Sequence, residues 1–223
     1  MSTLSALSSF FLLLAIVCPV SHASASELTV TVEDKKQLST EGSIVELVGE
    51  NLETAADRPI VINQIKREFD PFLSIIPKGS AIQLNNSDGY SHHVYSVSKG
   101  NKFDLPLYKG KPPKDVVFDA AGIVKLGCNI HDWMLAYVYV SQSQTIGTTD
   151  ASGIITFAGI PAGTYQLRVW NPRMRNTKRV VTRKIDLVDG QVLTTTVQVS
   201  LRKKIRKRKQ TERSGSGYGG ANY

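Results

Sequence analysis

Apolar and polar residues alternate with a period of two along most of the chain. Leu28-Thr29-Val30-Thr31-Val32 is the clearest case, with β-branched residues on both sides of the alternation, as a half-buried strand requires. The same reading predicts strands over 43–48, 60–65, 73–76, 81–84, 94–97, 116–118, 123–126, 135–140, 154–157, 165–169, 180–187 and 194–201. Turn signals separate them: Pro77-Lys78-Gly79, Asp88-Gly89, Ala121-Gly122, Ser152-Gly153, Pro161-Ala162-Gly163 and Asp189-Gly190. No segment carries a helical period. Many short strands at this spacing predict an all-β protein built of sandwiches or barrels. Residues 99–114 break the alternation with Gly100, Gly110, Pro106, Pro112 and Pro113, and read as one long loop.

The two ends follow different rules. Residues 8–20 form an apolar run that is shorter than the ~20 apolar residues of a membrane span. Ala23 and Ala25 follow it, and charged residues begin only at Glu27. Residues 1–25 therefore read as a signal peptide cut near Ala23 or Ala25, although its first residues carry no Lys or Arg. That predicts a periplasmic or secreted protein that is not transmembrane. The formal net charge is +8, and residues 202–213 supply +7 of it, with eight Lys or Arg against one Glu. The Gly/Ser-rich stretch that follows cannot build a core, so 202–223 reads as a disordered basic tail. Such a tail is either a solvated arm or a contact for anionic membrane surfaces and acidic proteins. Export argues against nucleic acid as its partner.

Cysteine usage narrows the chemistry. Of Cys18 and Cys128, only Cys128 survives removal of the signal peptide. A lone Cys in an oxidising compartment is buried and inert, paired between chains, or bound to a metal. Its surroundings choose the metal. Gly127-Cys128-Asn129-Ile130-His131-Asp132-Trp133-Met134 sets a thiolate, an imidazole and a thioether at steps of three. Soft sulfur with imidazole suits copper, whereas structural zinc uses Cys and His without Met. A second imidazole would come from His92 or His93, which with His131 are all the histidines left after residue 25. One ligand from a separate strand and three from a tight loop would hold one copper ion rigidly, which favours electron transfer.

These residues resemble the cupredoxins. The Cys128, His131, Met134 spacing is similar to that of amicyanin-like proteins, and Asn86, Asp88, His92 and Val94 match their upstream pattern. The runs at 92–96 and 127–134 resemble bacterial proteins of the methylamine utilization, plastocyanin-like type. The resemblance selects His92 over His93. It implies a Greek-key β-sandwich with a type 1 (blue) copper held by His92, Cys128, His131 and Met134, a redox protein as partner, and no enzymatic turnover. Two positions depart from the family: His93 stands where an Asn usually ties the ligand loops, and Asp132 lies beside His131.

A second likeness covers Asp150, Gly153, Phe157, Ile160, Pro161, Gly163, Tyr165, Leu167 and Val169, which resemble a carboxypeptidase regulatory-like, or transthyretin-like, small sandwich. The expected order is a signal peptide over 1–25, a first hairpin over 26–50, a cupredoxin unit over 56–142, a transthyretin-like sandwich over 145–201 and the tail over 202–223. The first hairpin belongs either to the transthyretin-like sandwich, which makes the cupredoxin unit an insertion, or to the cupredoxin unit itself. Trp170 and Arg173 border either an exposed corner or a docking point. Three functions compete: an electron carrier, a copper-binding or delivery protein without a redox partner, and a structural or adhesive β-protein.

Overall fold

The computed structural model describes residues 26–50, 52 and 60–203, which hold sixteen strands and no helix. The strands are β1 (Ser26–Asp34), β2 (Ile44–Val48), β3 (Ile60–Ile65), β4 (Glu68–Asp70), β5 (Leu73–Pro77), β6 (Ala81–Asn86), β7 (Val94–Ser98) and β8 (Asn101–Asp104). They continue with β9 (Val116–Val117), β10 (Gly122–Cys128), β11 (Leu135–Ser141), β12 (Ile146–Thr148), β13 (Ile154–Ile160), β14 (Gly163–Trp170), β15 (Val181–Leu187) and β16 (Val192–Val199). The signal peptide and most of the tail read from the sequence, 1–25 and 204–223, lie outside the described residues.

The strands form an all-β architecture of two sandwiches. In one, the sheet β13-β1-β16 shares a core with the sheet β12-β2-β14-β15. In the other, β5-β11-β10-β7-β8 shares a core with β4-β3-β6-β9. β1 runs antiparallel to β13 and parallel to β16, and β2 pairs with β12 and β14. Among the described residues, neither β1 nor β2 pairs with a strand of 60–141. The chain thus leaves the first sandwich after β2, builds the second, and returns at β12.

Local sequence explains most strands. In β1, Leu28, Val30 and Val32 are fully buried while Thr29 and Thr31 are not. The turn before β13 needs a glycine: Gly153 has φ +79°, and a Cβ there would meet the Val32 carbonyl oxygen at 2.7 Å. β11 breaks the alternation because both its faces are covered. Leu135, Tyr137 and Tyr139 enter the first core, and Ala136, Val138 and Val140 enter the second. At about 1.5–3 kcal/mol for each large apolar side chain buried, this strand fastens the sandwiches together.

A buried carboxylate completes that junction. Glu46 of β2 is fully buried and accepts hydrogen bonds from the Tyr139 hydroxyl (2.7 Å), the Ser141 hydroxyl (2.8 Å), the Gln142 N–H (2.7 Å) and Arg168 Nη1 (3.2 Å). Burial, then the Glu46 charge, pushes the Tyr139 hydroxyl well above its ordinary pKa.

Three sequence expectations change. Residues 99–114 are not one loop, because Asn101–Asp104 forms β8 against β7. The short strands β4 and β12 carry too little alternation to be seen. Trp170 is no docking point: it is fully buried, its ring centroid lies 5.3 Å from that of Tyr137, and its indole N–H donates to the Thr177 carbonyl (2.9 Å).

Candidate metal centre

Cys128 ends β10, and its backbone pairs with Val94 at the start of β7. His92 stands just before β7, where its N–H and carbonyl bond Tyr108 (3.0 and 3.1 Å). The loop from Cys128 to β11 is tight: the Met134 N–H donates to the His131 carbonyl (2.9 Å), and the Asn129 N–H donates to the His93 carbonyl (2.9 Å). Gly127 leaves room for the Tyr95 ring, whose Cζ would lie 3.0 Å from a Cβ at that position. Strand pairing and loop closure together bring His92, Cys128 and His131 to one end of the second sandwich.

Their donor atoms face one another. Cys128 Sγ lies 3.7 Å from His92 Nδ1 and 3.8 Å from His131 Nδ1, and the two nitrogens are 3.2 Å apart. The point equidistant from the corners of a triangle with these edges is about 2.1 Å from each, close to the ~2.0–2.1 Å of a metal–imidazole bond and the ~2.3 Å of a metal–thiolate bond. The three residues form a group able to hold a metal ion, and one thiolate with two imidazoles suits copper. Met134 is 3 % exposed and packs in the same core as Cys128.

His93 goes elsewhere. Its Nε2 bonds the Asp104 carboxylate, and its Nδ1 lies 3.4 Å from Asn129 Nδ2. The tie between ligand loops, expected from an Asn at this position, is made here by the His93 carbonyl and Asn129.

The surroundings hold the donors in place. His92 Nε2 bonds Asp88 Oδ2 (2.8 Å), which turns Nδ1 toward Cys128. A carboxylate behind a ligand imidazole fixes its orientation and tautomer. Asn86 ties this segment to the 108–110 loop through the Tyr108 carbonyl (2.9 Å) and a backbone bridge with Gly110. Asp88 also accepts the N–H groups of Lys66 (2.7 Å) and Arg67 (3.0 Å). Those two residues form the two-residue turn between β3 and β4, with φ of 54° and 60°. Left-handed backbone costs a non-glycine residue roughly 1–2 kcal/mol, and the bonds to Asp88 offset that cost. Arg67 sits 5.2 Å from the Tyr90 ring centroid, and Tyr90 packs edge-on against His92 (5.2 Å) and His131 (5.9 Å).

The electrostatics favour a thiolate. Burial opposes it, but hydrogen bonds from His92 and from the N–H groups of His93, Ile130 and His131 hold the Cys128 thiol below its ordinary pKa. Burial likewise opposes a charged His92, yet its bonds to Cys128 and Asp88 raise its pKa. Burial, then the charges of His92 and Arg67, hold His131 below its usual value. Sequence reasoning missed Arg67 and Tyr90, because a Lys-Arg pair carries no turn signal.

No protein-family model matches the chain, and no curated protein matches it. Among solved structures, the chain is similar to a purple cupredoxin from Nitrosopumilus maritimus, at 24% identity over 36% of this chain and 98% of that one, with a TM-score of 0.33. It is also similar to a reduced Cu(I) form of an amicyanin mutant, at 20% identity over 44% of this chain and 98% of that one, with a TM-score of 0.35. A copper-containing nitrite reductase from Thermus scotoductus SA-01 matches at 21% identity over 38% of this chain and 23% of that one, with a TM-score of 0.36. The chemistry of the centre follows from its own donor atoms.

Proposed function

We propose that this protein is an exported type 1 copper protein that carries one electron at a time and catalyses no turnover. Its copper unit is a cupredoxin sandwich, β3 to β11, inserted into a transthyretin-like sandwich made of β1, β2 and β12 to β16. One ion per chain would be held by His92, Cys128 and His131, with Met134 offering a weaker sulfur donor. The observation that carries this reading is the triangle of Cys128 Sγ, His92 Nδ1 and His131 Nδ1, with edges of 3.2 to 3.8 Å.

Bound copper would supply the Cu(I)/Cu(II) couple. The chain's own part is to keep the donors still. Asp88 orients His92, three backbone N–H groups and His92 bond the Cys128 sulfur, and Met134 packs in the core that holds Ala136, Val138 and Val140 of β11. Donors held this way move little when the charge at their centre changes, which suits an electron carrier better than a cargo site that must open. Four ligands would also leave no strong open position for a substrate. No helix among the described residues is long and apolar enough to cross a membrane. Export rests on the sequence of the first 25 residues, and the partner would be another redox protein.

The test is direct. Cu(II) added to the purified, reduced protein produces an intense visible thiolate-to-copper band at one equivalent. Cys128→Ser abolishes the band, whereas Met134→Leu keeps the colour and shifts the reduction potential. A colourless wild-type protein with its thiol intact sinks the proposal. Slow electron self-exchange in a coloured protein would instead point to copper delivery.

A further inference from the structure

We infer that Arg67 is a positioning residue for the redox balance of the centre: the Lys66-Arg67 turn fixes a guanidinium over Tyr90, where it disfavours the more highly charged copper state. The inference rests on the copper reading above and adds a residue to it. Four observations converge on Arg67. Its backbone and that of Lys66 adopt left-handed φ values, which two-residue hairpins usually assign to Asn-Gly or Gly-Gly. Glycine would relieve that turn but could not carry a charge. The strained backbone is held by Asp88, the same carboxylate that orients His92. The guanidinium lies on the Tyr90 ring, and that ring touches both ligand imidazoles.

The fourth observation concerns solvation. Arg67 Nε is buried and makes no hydrogen bond, so part of the cation is withdrawn from water without a polar partner. An aromatic face compensates in part, because the ring quadrupole attracts the cation. A charge held in such partly dry surroundings acts on its neighbours more strongly than a solvated one. Asp88, the carboxylate that bonds His92, is occupied by two N–H groups and that imidazole. Lys66, on the same turn, is exposed to solvent and adds a screened charge of the same sign.

The experiment uses the full chain and measures the reduction potential together with the Cu(I) and Cu(II) affinities. Arg67→Gln lowers the Cu(I)-to-Cu(II) affinity ratio by about fivefold to tenfold, tenfold being about 59 mV for one electron. Arg67→Lys keeps the charge and stays within about twofold of wild type, a bound drawn from the same Coulomb scale. Arg67→Gly suits the left-handed turn, folds without the strain and reproduces the fall seen in Arg67→Gln, which separates charge from backbone. An unchanged ratio in both neutral variants, with the colour intact, overturns the role of Arg67 alone. Failure of the wild-type protein to form the coloured complex overturns the copper reading and this inference with it.

Discussion

Two buried polar clusters lie at different places in this molecule, and their hydrogen bonding separates a structural role from a functional one. At the junction of the sandwiches, Glu46 receives four donors, so its oxygens are satisfied and its charge is shared with Arg168. At the end of the second sandwich, the Nδ1 atoms of His92 and His131 and the sulfur of Cys128 point at one another. The outer nitrogen of His92 is held from behind by Asp88. A carboxylate surrounded by donors is locked into the fold. Two imidazole nitrogens and a sulfur turned toward one point form a set that a cation can fill.

Four experiments break or sharpen that contrast. The largest expected effect is at the saturated cluster. Glu46→Ala removes the counter-charge of Arg168 and the acceptor of the buried Tyr139 hydroxyl, and should cost about 3 kcal/mol in urea unfolding. The visible copper spectrum should survive in whatever fraction stays folded. Asp88→Asn comes next. It removes the charge behind His92 and weakens the support of the Lys66-Arg67 turn, so copper affinity falls about 10–100-fold in a competition titration while β1 to β16 persist by circular dichroism.

Acid should reveal a third, intermediate effect. The Asp34 carboxylate accepts N–H groups from Leu201 (2.6 Å), Lys36 (2.8 Å) and Leu38 (3.4 Å). Burial raises its pKa, but these bonds outweigh that and leave the pKa lowered. Its stabilisation is therefore complete above the unfolded value of about 3.9. It is lost as pH falls through the lower folded value. Asp34→Asn should flatten this acid limb in denaturation curves recorded between about pH 2 and 5. The smallest effect is at His93. Because it bonds Asp104 and not the cluster, His93→Ala should leave the band position in place and copper affinity within about twofold, less than the tenfold or more typical of a partner that orients a ligand. A colourless His93→Ala would show that the two adjacent histidines have been assigned the wrong way round.

Much of this architecture is legible in the sequence, and the rest is hidden for physical reasons. Strands with one wet face, such as β1 and β6, announce themselves by alternation. β4, β8 and β12 do not: each lies at a sheet edge and is three or four residues long. Edge strands are often short and polar, so they read as loop. The spacing of Cys128, His131 and Met134 is local and readable from the chain. Choosing between His92 and His93 depends on which way successive side chains point from a strand start, and spacing alone left both open. The Arg67–Tyr90 pair was invisible because its turn is stabilised by Asp88, twenty or more residues away along the chain.

β11 has one more consequence. It begins where the ligand loop ends, and alternate side chains belong to different cores. Cutting out either sandwich would leave Leu135, Tyr137 and Tyr139 facing water, or remove the floor beneath Trp170. The two sandwiches are therefore not modules on a tether. They should unfold in a single calorimetric transition, and an ion bound at one extremity would stabilise the sheet at the other.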